Sequence, residues 1–549
     1  MLENWMPRFF FLHLLSLLIS HSIIASDCKT KSDAPLCPDS GSTILDETYP
    51  TQSYVVSVSG FHTRSGYSQE TSEKLPTDFI ISLMQSYPNG SPEIIVPAAT
   101  EDFALLVKSL EERMLASKMT LAEVNKQLSN IRNVPTKYSY TWQQDYFESF
   151  INPETGRPVV REVSSYQSLD SNYKKRALGS FSSPLSRCEI ERGPPLEDFL
   201  SHGVTSGTNS KSWGNGEMGG NIEGLPGGLC MKGNNQADDF VAQYCGPKEK
   251  GNAVELDVGW MEVGHVDEVV KVVPNFPKKK PDDCNFSIWL ASPKMGMEIL
   301  KSPSEANKKF IDLSDLTEKE GDQKIKDILN SLAGRQLCKL LKEYEINDTK
   351  IDSDASKPKA KGAFFRRILD FTLIQNAYAG VIVDDQVGEQ DCFTQLKKVT
   401  NSEMAELMEK DDDFMTANNL IQEKMDQNKK NMSAKLQERL PHCKNIKFVE
   451  TPDLFYAHGM AEVNGKMELA EPGNARSLFP NPTNSVLANQ SMIVPKSPNK
   501  AFNLKIKEDL EKQGLKSKFV DTWNYAHTGD GNMHCSSHSL TYCRPRGLK

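Results

Sequence analysis

The sequence has no excess of positive charge and, beyond its first 25 residues, no long uncharged apolar run. Its 549 residues carry 64 Lys and Arg against 73 Asp and Glu, a formal net charge of −9. That balance gives no electrostatic footing on a phosphate backbone, so no nucleic acid is expected as a partner. The later segment most like a membrane span, FFRRILDFTLIQNAYAGVIV, is interrupted by Arg366, Arg367 and Asp370. No stable membrane insertion is expected. No repeat of fixed short period is visible. What is present, 38% hydrophobic and 25% charged residues, fits a soluble globular chain with a sizeable core and polar insertions.

The N-terminus is more specific. Arg8 precedes FFFLHLLSLLISHSIIA, and Ser22 and Ala25 supply small residues near a plausible cut. This reads as a secretory signal peptide over residues 1–26, giving a secreted or periplasmic protein. The alternative is a single membrane anchor, for which the run is short. Asp27 directly before Cys28 argues against a lipoprotein cleavage site. Export places the 11 cysteines in an oxidising compartment. An odd count leaves at least one outside intramolecular bonds. Cys28 with Cys37, and Cys230 with Cys245, are close enough in sequence to close short loops.

Along the chain, SYVVSVSGF and IIVPA read as strands, and residues 100–131 as one helix with Thr100 as a possible cap. LDVGWMEV, EVVKVV and FSIWLAS read as strands. Apolar residues recur at helical spacing over 304–345, and a long polar helix is expected over 402–439. EINDTKIDSDASKPKAKG reads as a flexible excursion. Strand signals alternate with helices again near the end, so the fold class is α/β.

Three segments carry chemistry. In GHVDEV, His265 and Asp267 face the same way if the segment is extended. In NYAHTGDGNMHCSSHSL, Cys535 follows a glycine-rich turn and His534. It suits a nucleophile, or half of a disulfide with Cys543. In YTWQQDYFESF, Asp145 lies beside Trp142, Gln144 and Glu148; alone it is an ordinary amphipathic strand or turn.

Together the three resemble the protein-arginine deiminase family of the pentein superfamily. The family's W-x-Q-D-x-x-E matches Trp142, Gln144, Asp145 and Glu148. Its G-N-L-E matches Gly220, Asn221, Ile222 and Glu223, with Ile for Leu. Its W-x-x-V-G-H-V-D-E matches Trp260 to Glu268 in full, and its G-x-V-H-C matches Gly531, Met533, His534 and Cys535. The resemblance implies a pentein α/β-propeller of pseudo-fivefold ββαβ modules. It covers about residues 92–549, with an insertion at about 346–400, and leaves 27–91 as an N-terminal extension. The immunoglobulin-like N-terminal domains of the animal enzymes are missing.

The implied activity is hydrolytic deimination of arginine side chains in a protein or peptide substrate to citrulline. The residue chemistry agrees. A planar, bidentate guanidinium suits two carboxylates, here Asp145 and Asp267. A carbon bonded to three nitrogens is a poor electrophile and calls for a thiolate, here Cys535. His265 suits the proton transfers, and Trp142 can stack on the cation.

The resemblance also implies calcium, held by Gln144, Glu148 and Glu223 through side chains and by Gly219 and Ile222 through carbonyls. Solvated surface acids are the alternative reading of the two glutamates. Tyr146 stands where the animal enzymes have a second-site glutamate, and REVSSYQS replaces their D-S-P-R-x-R run, so one ion is expected. The arginine that precedes the catalytic cysteine in several animal enzymes falls at Gly529. Two other functions stay open: a deiminase of small guanidines such as free arginine or agmatine, and a catalytically inactive calcium-binding pentein.

Overall fold

The computed structural model describes residues 34–38, 44–58, 76–87, 90, 92–135, 142, 144, 147–152, 154–156, 158–162, 191–192, 219–236, 238–246, 251–276, 284–348, 386–457, 460–463, 466–469, 475–529 and 531–545. The expected signal peptide, Cys28, Asp145, Tyr146 and most of the expected insertion lie outside them.

The chain is α/β. β1 (Thr51–Val56) is followed by α1 (Thr77–Gln85), β2 (Glu93–Ala98), α2 (Thr100–Ala116), α3 (Leu121–Leu128) and β3 (Ile131–Pro135). Next come β4 (Phe147–Ile151), β5 (Pro158–Glu162), β6 (Glu191–Arg192), β7 (Ile222–Leu225), β8 (Leu229–Gly233), α4 (Asp238–Cys245) and β9 (Ala253–Leu256). β10 (Val270–Pro274) and β11 (Phe286–Ser292) lead, among the described residues, into six helices: α5 (Pro293–Lys301), α6 (Glu318–Leu329), α7 (Leu332–Asp348), α8 (Gln386–Leu396), α9 (Asn401–Lys410) and α10 (Asp412–Arg439). β12 (Lys447–Pro452), the short strands β13 (Phe455–Ala457), β14 (Met460–Val463), β15 (Lys466–Leu469) and β16 (Ala475–Ser477), then β17 (Val486–Ala488) and β18 (Ser491–Pro495) follow. α11 (Lys500–Lys512), β19 (Lys516–Val520) and β20 (Ser537–Thr541) complete the order.

One pairing pattern recurs five times among the described residues. β4-β5-β6, β7-β8-β9, β10-β11-β12, β17-β18-β19 and β20-β1-β2 each join an antiparallel pair to a parallel third strand. An antiparallel pair can be joined by a tight turn, whereas a parallel step needs a crossover. α4, α11 and α1 supply crossovers in three of these units. The last unit unites the two ends of the chain.

Residues 27–91, expected to precede the catalytic unit, therefore contribute a strand to it. β1 lies between β20 and β2. Leu36 also bridges to Arg544, and Cys37 is disulfide-bonded to Cys543.

The sheet cores explain the apolar runs. Every residue of β10 and β11 is buried, because helices cover sheets built on crossovers on both faces and no alternation is needed. α10 lays Phe414, Ala417, Ile421, Met425, Met432 and Leu436 along one side at three-to-four spacing. From Ala417 onward these join Leu256, Val270, Ile288 and Leu290 in one cluster.

Local chemistry breaks two expected helices. Residues 100–131 split because Lys118 takes a left-handed φ of 65° and Thr120 starts a new helix in a reciprocal capping box with Glu123. Thr100 is already helical, and Ala99 precedes it without a side-chain cap. The helix expected over 402–439 divides at Asp411, whose carboxylate accepts from the Phe414 amide at 2.9 Å. The strand expected over LDVGWMEV ends at Leu256, and residues 257–261 turn away.

Four disulfides join described cysteines: Cys37–Cys543, Cys230–Cys245, Cys284–Cys443 and Cys338–Cys392. The short Cys230–Cys245 loop is as expected, but Cys37 reaches across the whole chain. Cys543 is thereby taken, and Cys535 is the one described cysteine outside a disulfide.

Candidate active site

GHVDEV is not extended. Val266–Glu268 form a one-turn 3-10 helix, and β10 starts only at Val270. Gly264 sets this up with a φ of +75°, and a Cβ there would come within 2.8 Å of the Asn235 amide. His265 and Asp267 still meet at one place: a Cβ on Gly220 would lie 2.8 Å from His265 Nδ1 and 3.4 Å from each Asp267 oxygen. Both side chains are buried. The turn is gripped from the 481–484 loop. Thr483 Oγ1 donates to the Glu268 carbonyl at 2.8 Å, and Asn481 Nδ2 donates to the same oxygen.

Cys535 sits in the turn before β20, 3% exposed. Its thiol donates to Asp267 Oδ2 at 3.4 Å and receives Asn484 Nδ2 at 3.0 Å. Asn484 is the organiser of this corner. Its Oδ1 accepts the His534 and Cys535 amides at 3.0 and 3.2 Å, while its Nδ2 also donates to Asp267 Oδ2 at 3.0 Å. Trp142 lies over the glycine turn: a Cβ on Gly531 would fall 2.5 Å from the indole and 3.2 Å from Cys535 Cβ. The absent side chain is what lets the ring approach the nucleophile.

Behind the thiol lies a row of buried charge. His534 Nδ1 donates to Asp267 Oδ2 at 2.9 Å; its Nε2 lies 3.5 Å from Glu47 Oε1, and Lys271 Nζ meets the same Glu47 oxygen at 2.6 Å. Burial and Lys271 oppose protonation of His534, but Glu223, Asp267 and Glu47 outweigh them and raise it to about 9. Burial acts to raise the Asp267 carboxyl, yet the His534 bond and the charges of His534, His265 and Lys271 hold it below the usual range. Glu47 is likewise held low against burial by Lys271 and His534. Asp267 Oδ1 is buried without a hydrogen-bond partner among the described residues, a buried acceptor of the kind that calls for one.

The expected metal ligands converge in part. Gln144 Nε2 donates to Glu223 Oε1 at 3.1 Å, and the Gln144 backbone amide donates to the Cys535 carbonyl at 3.1 Å. Gln144 Oε1 lies 2.6 Å from His538 Nδ1, whose Nε2 lies 2.8 Å from Ser149 Oγ. Burial pushes Glu223 up to about 7. Gly219 opens a one-turn helix that ends at Asn221, and Ile222 begins β7. Glu148 lies in β4, opposite Arg161. Asp145 falls outside the described residues, between Gln144 and the start of β4.

Reading the sequence missed Glu47, Lys271, Asn484 and His538. Lys271 had a visible signal, a lone cation inside the apolar run EVVKVV. Glu47 had none, since it lies 224 positions from Lys271 in an irregular stretch.

A buried thiol held against a buried carboxylate, with a histidine behind it, is machinery for covalent attack on a polar carbon. The class is that of hydrolytic deiminases of guanidino groups. Residues 219–352 and 371–543, more than half of the chain, match the family model described as protein-arginine deiminase (PAD), and the chain belongs to that family. The break between the matched parts falls inside the insertion expected at about 346–400. Among solved structures, agmatine deiminase of C. jejuni is similar at 12% identity, covering 92% of this chain and 96% of that one, with a TM-score of 0.38. Agmatine deiminase of Enterococcus faecalis is similar at 11% identity, covering 91% and 96%, with a TM-score of 0.40. No curated protein matches the sequence.

Proposed function

We propose that this protein is an exported protein-arginine deiminase. The observation that carries the reading is the meeting of the Cys535 thiol with the Asp267 carboxylate at 3.4 Å, in a chain whose other described cysteines are all disulfide-bonded. The five like sheets support a closed propeller of ββαβ modules. The unpartnered Asp267 Oδ1 suits one edge of a guanidinium, with Asp145 taking the other.

The Cys535 thiolate attacks the guanidinium carbon. His265 gives a proton to the departing nitrogen, and ammonia leaves a thiouronium on Cys535. Water adds to that carbon and loses its proton to His265. The adduct expels the thiolate and leaves a ureido group. Trp142 stacks on the planar cation during attack. A small cleft adjoins the thiol through Asn484, lined also by Glu262, Glu268 and Arg476. The match to the protein-arginine deiminase family model favours arginine carried on a chain. N-benzoyl-arginine ester should therefore release ammonia faster than free arginine or agmatine. The reverse order would move the protein to the small-guanidine deiminases, and no release from any of the three would leave a non-catalytic protein.

Calcium fits the donor set. Glu148 and Glu223 would hold it by side chain, Gln144 by Oε1 once its amide turns that atom from His538 toward Glu223, and Gly219 and Ile222 by carbonyl, all through oxygen as a hard cation requires. Burial raises the Glu223 carboxyl to about 7 although His534 and Lys271 oppose this, so its charged form gains from further positive charge. When bound, the ion supplies that charge and holds the Gln144 segment in place. Calorimetry should give a one-site isotherm, and Glu223→Gln should weaken calcium binding by about tenfold or more through loss of ligand charge. A flat isotherm at millimolar calcium, or an unaffected variant, would leave Glu223 a plain buried acid.

A further inference from the structure

We propose that Glu47, from the segment before the first strand, is a positioning residue of the active site. It acts on Asp267 through His534. This rests on the deiminase reading for its kinetic consequence, but its geometry stands independently.

The geometry is a row. Lys271 Nζ holds Glu47 Oε1 at 2.6 Å; Glu47 Oε1 faces His534 Nε2 at 3.5 Å; His534 Nδ1 donates to Asp267 Oδ2 at 2.9 Å. Asp267 Oδ2 is the atom that receives the Cys535 thiol. A ring held at one nitrogen can pivot about that bond; held at both, it cannot. Glu47 is what holds the second nitrogen, and Lys271 fixes Glu47. All four side chains are largely out of water, with exposures of 5%, 13%, 8% and 1% in row order.

Burying an ion pair is costly in water-exclusion terms and is a poor way to add stability alone. Lys271 and Glu47 have no need of each other in an apolar core. Their placement against the histidine next to the nucleophile gives the pair a role that packing does not.

The segment that carries Glu47 is also anchored. Asp46 accepts the Thr48 amide at 2.8 Å, fixing the local turn. Leu45 packs with Cys37 and Cys543 in one small cluster, and the Cys37–Cys543 disulfide fastens the preceding strap beside the segment that follows β20. The Cys37 amide donates to the Arg544 carbonyl at 2.9 Å, and the Arg544 amide to the Pro35 carbonyl at 2.7 Å. A Cβ on Gly224 would strike the backbone of Leu45 and Asp46 at 2.4 to 2.7 Å, so the strap presses directly on β7, the strand that bears Glu223. Glu47 is thus delivered to the site by backbone held on two sides. The position of His534 within the sequence motif gives no hint of this partner.

The test compares Glu47→Gln, Lys271→Met and the double variant with the wild type. Glu47→Gln keeps the shape and removes the charge. It should lower kcat about tenfold to a hundredfold, with KM changed far less, as for other loss of support behind a reacting group. Each single variant leaves one buried charge without its partner, so both should also melt earlier. The double variant removes both charges and should recover thermal stability while kcat stays low. Recovery of kcat together with stability would mean that the pair is structural only, and would overturn the proposal. A second readout does not depend on turnover: the imidazole ring signals of His534 in long-range proton–nitrogen spectra should move in Glu47→Gln. Identical ring signals in the two proteins would overturn the proposal whatever the substrate. Absence of ammonia release from the wild type with every guanidine tested would count against the deiminase reading, while the ring signals would still decide the role of Glu47.

Discussion

Cys535→Ser is expected to abolish ammonia release, by about 10⁴-fold or more as for loss of a covalent nucleophile, with the fold intact. A serine hydroxyl does not ionise near neutral pH, and Asp267 and Asn484 bond to the group at this position. Neither is poised as a strong base, since Asp267 is held below the usual carboxylate range by His534, His265 and Lys271 against its own burial. The replacement keeps the hydrogen bonds. Asn484 Nδ2, now 3.0 Å from sulfur, can donate to oxygen, and the amide at position 535 still reaches Asn484 Oδ1. Thermal melting and near-ultraviolet circular dichroism should therefore match the wild type. Appreciable turnover by the folded variant would remove Cys535 from the chemistry. So would mass mapping that places Cys535 in a native disulfide.

Asp267→Asn should come next in size, about a hundredfold for each 2.7 kcal/mol of transition-state binding lost. Asp267 Oδ2 accepts from His534 Nδ1, Asn484 Nδ2 and the Cys535 thiol. An amide nitrogen at that position would set donor against donor. Rotated the other way, the amide would direct its N–H groups to the place of Oδ1, where the guanidinium edge needs an acceptor. Either orientation fails one side. His534 also loses its nearest anion. A loss of at least about a hundredfold in kcat/KM is expected, and loss of the ion pair should lower stability as well. Asp145→Asn should behave alike in kinetics, and the double variant should be little worse than either, because two carboxylates gripping one planar cation act as a unit. Plain additivity would show that the two do not share a substrate group, and a fall in rate of less than about tenfold for Asp267→Asn would remove it from the clamp.

Much of this site is legible in the order of residues along the chain. WMEVGHVDE and the NMHC turn announce a histidine, a carboxylate and a thiol in an order with chemical sense. The odd cysteine count requires that one thiol be left over. Local patterns carry α/β class in the same way: β10 and β11 are apolar almost throughout, and the helices have their caps written in, Thr317 with Glu320 and Thr400 with Glu403 among them. Errors of local reading are also local in cause. A single left-handed residue at Lys118 and a capping aspartate at Asp411 each divide what periodicity alone runs together.

Residue types and short spacings determined which thiol, histidine and carboxylate to look for, Cys535, His265 and Asp267, and the alternation of strands with helices. These depend on neighbours within a few positions, where the chain itself sets the geometry. The tertiary structure alone decided that Cys37 bonds to Cys543, that β1 lies between β20 and β2, and that Asn484, Lys271 and Glu47 surround the Cys535–Asp267 corner. Those contacts join residues up to 506 positions apart. Nothing in the local propensities at either end specifies them. They follow from which sheets pack together, and a buried charge has a defined partner only once that packing has excluded water.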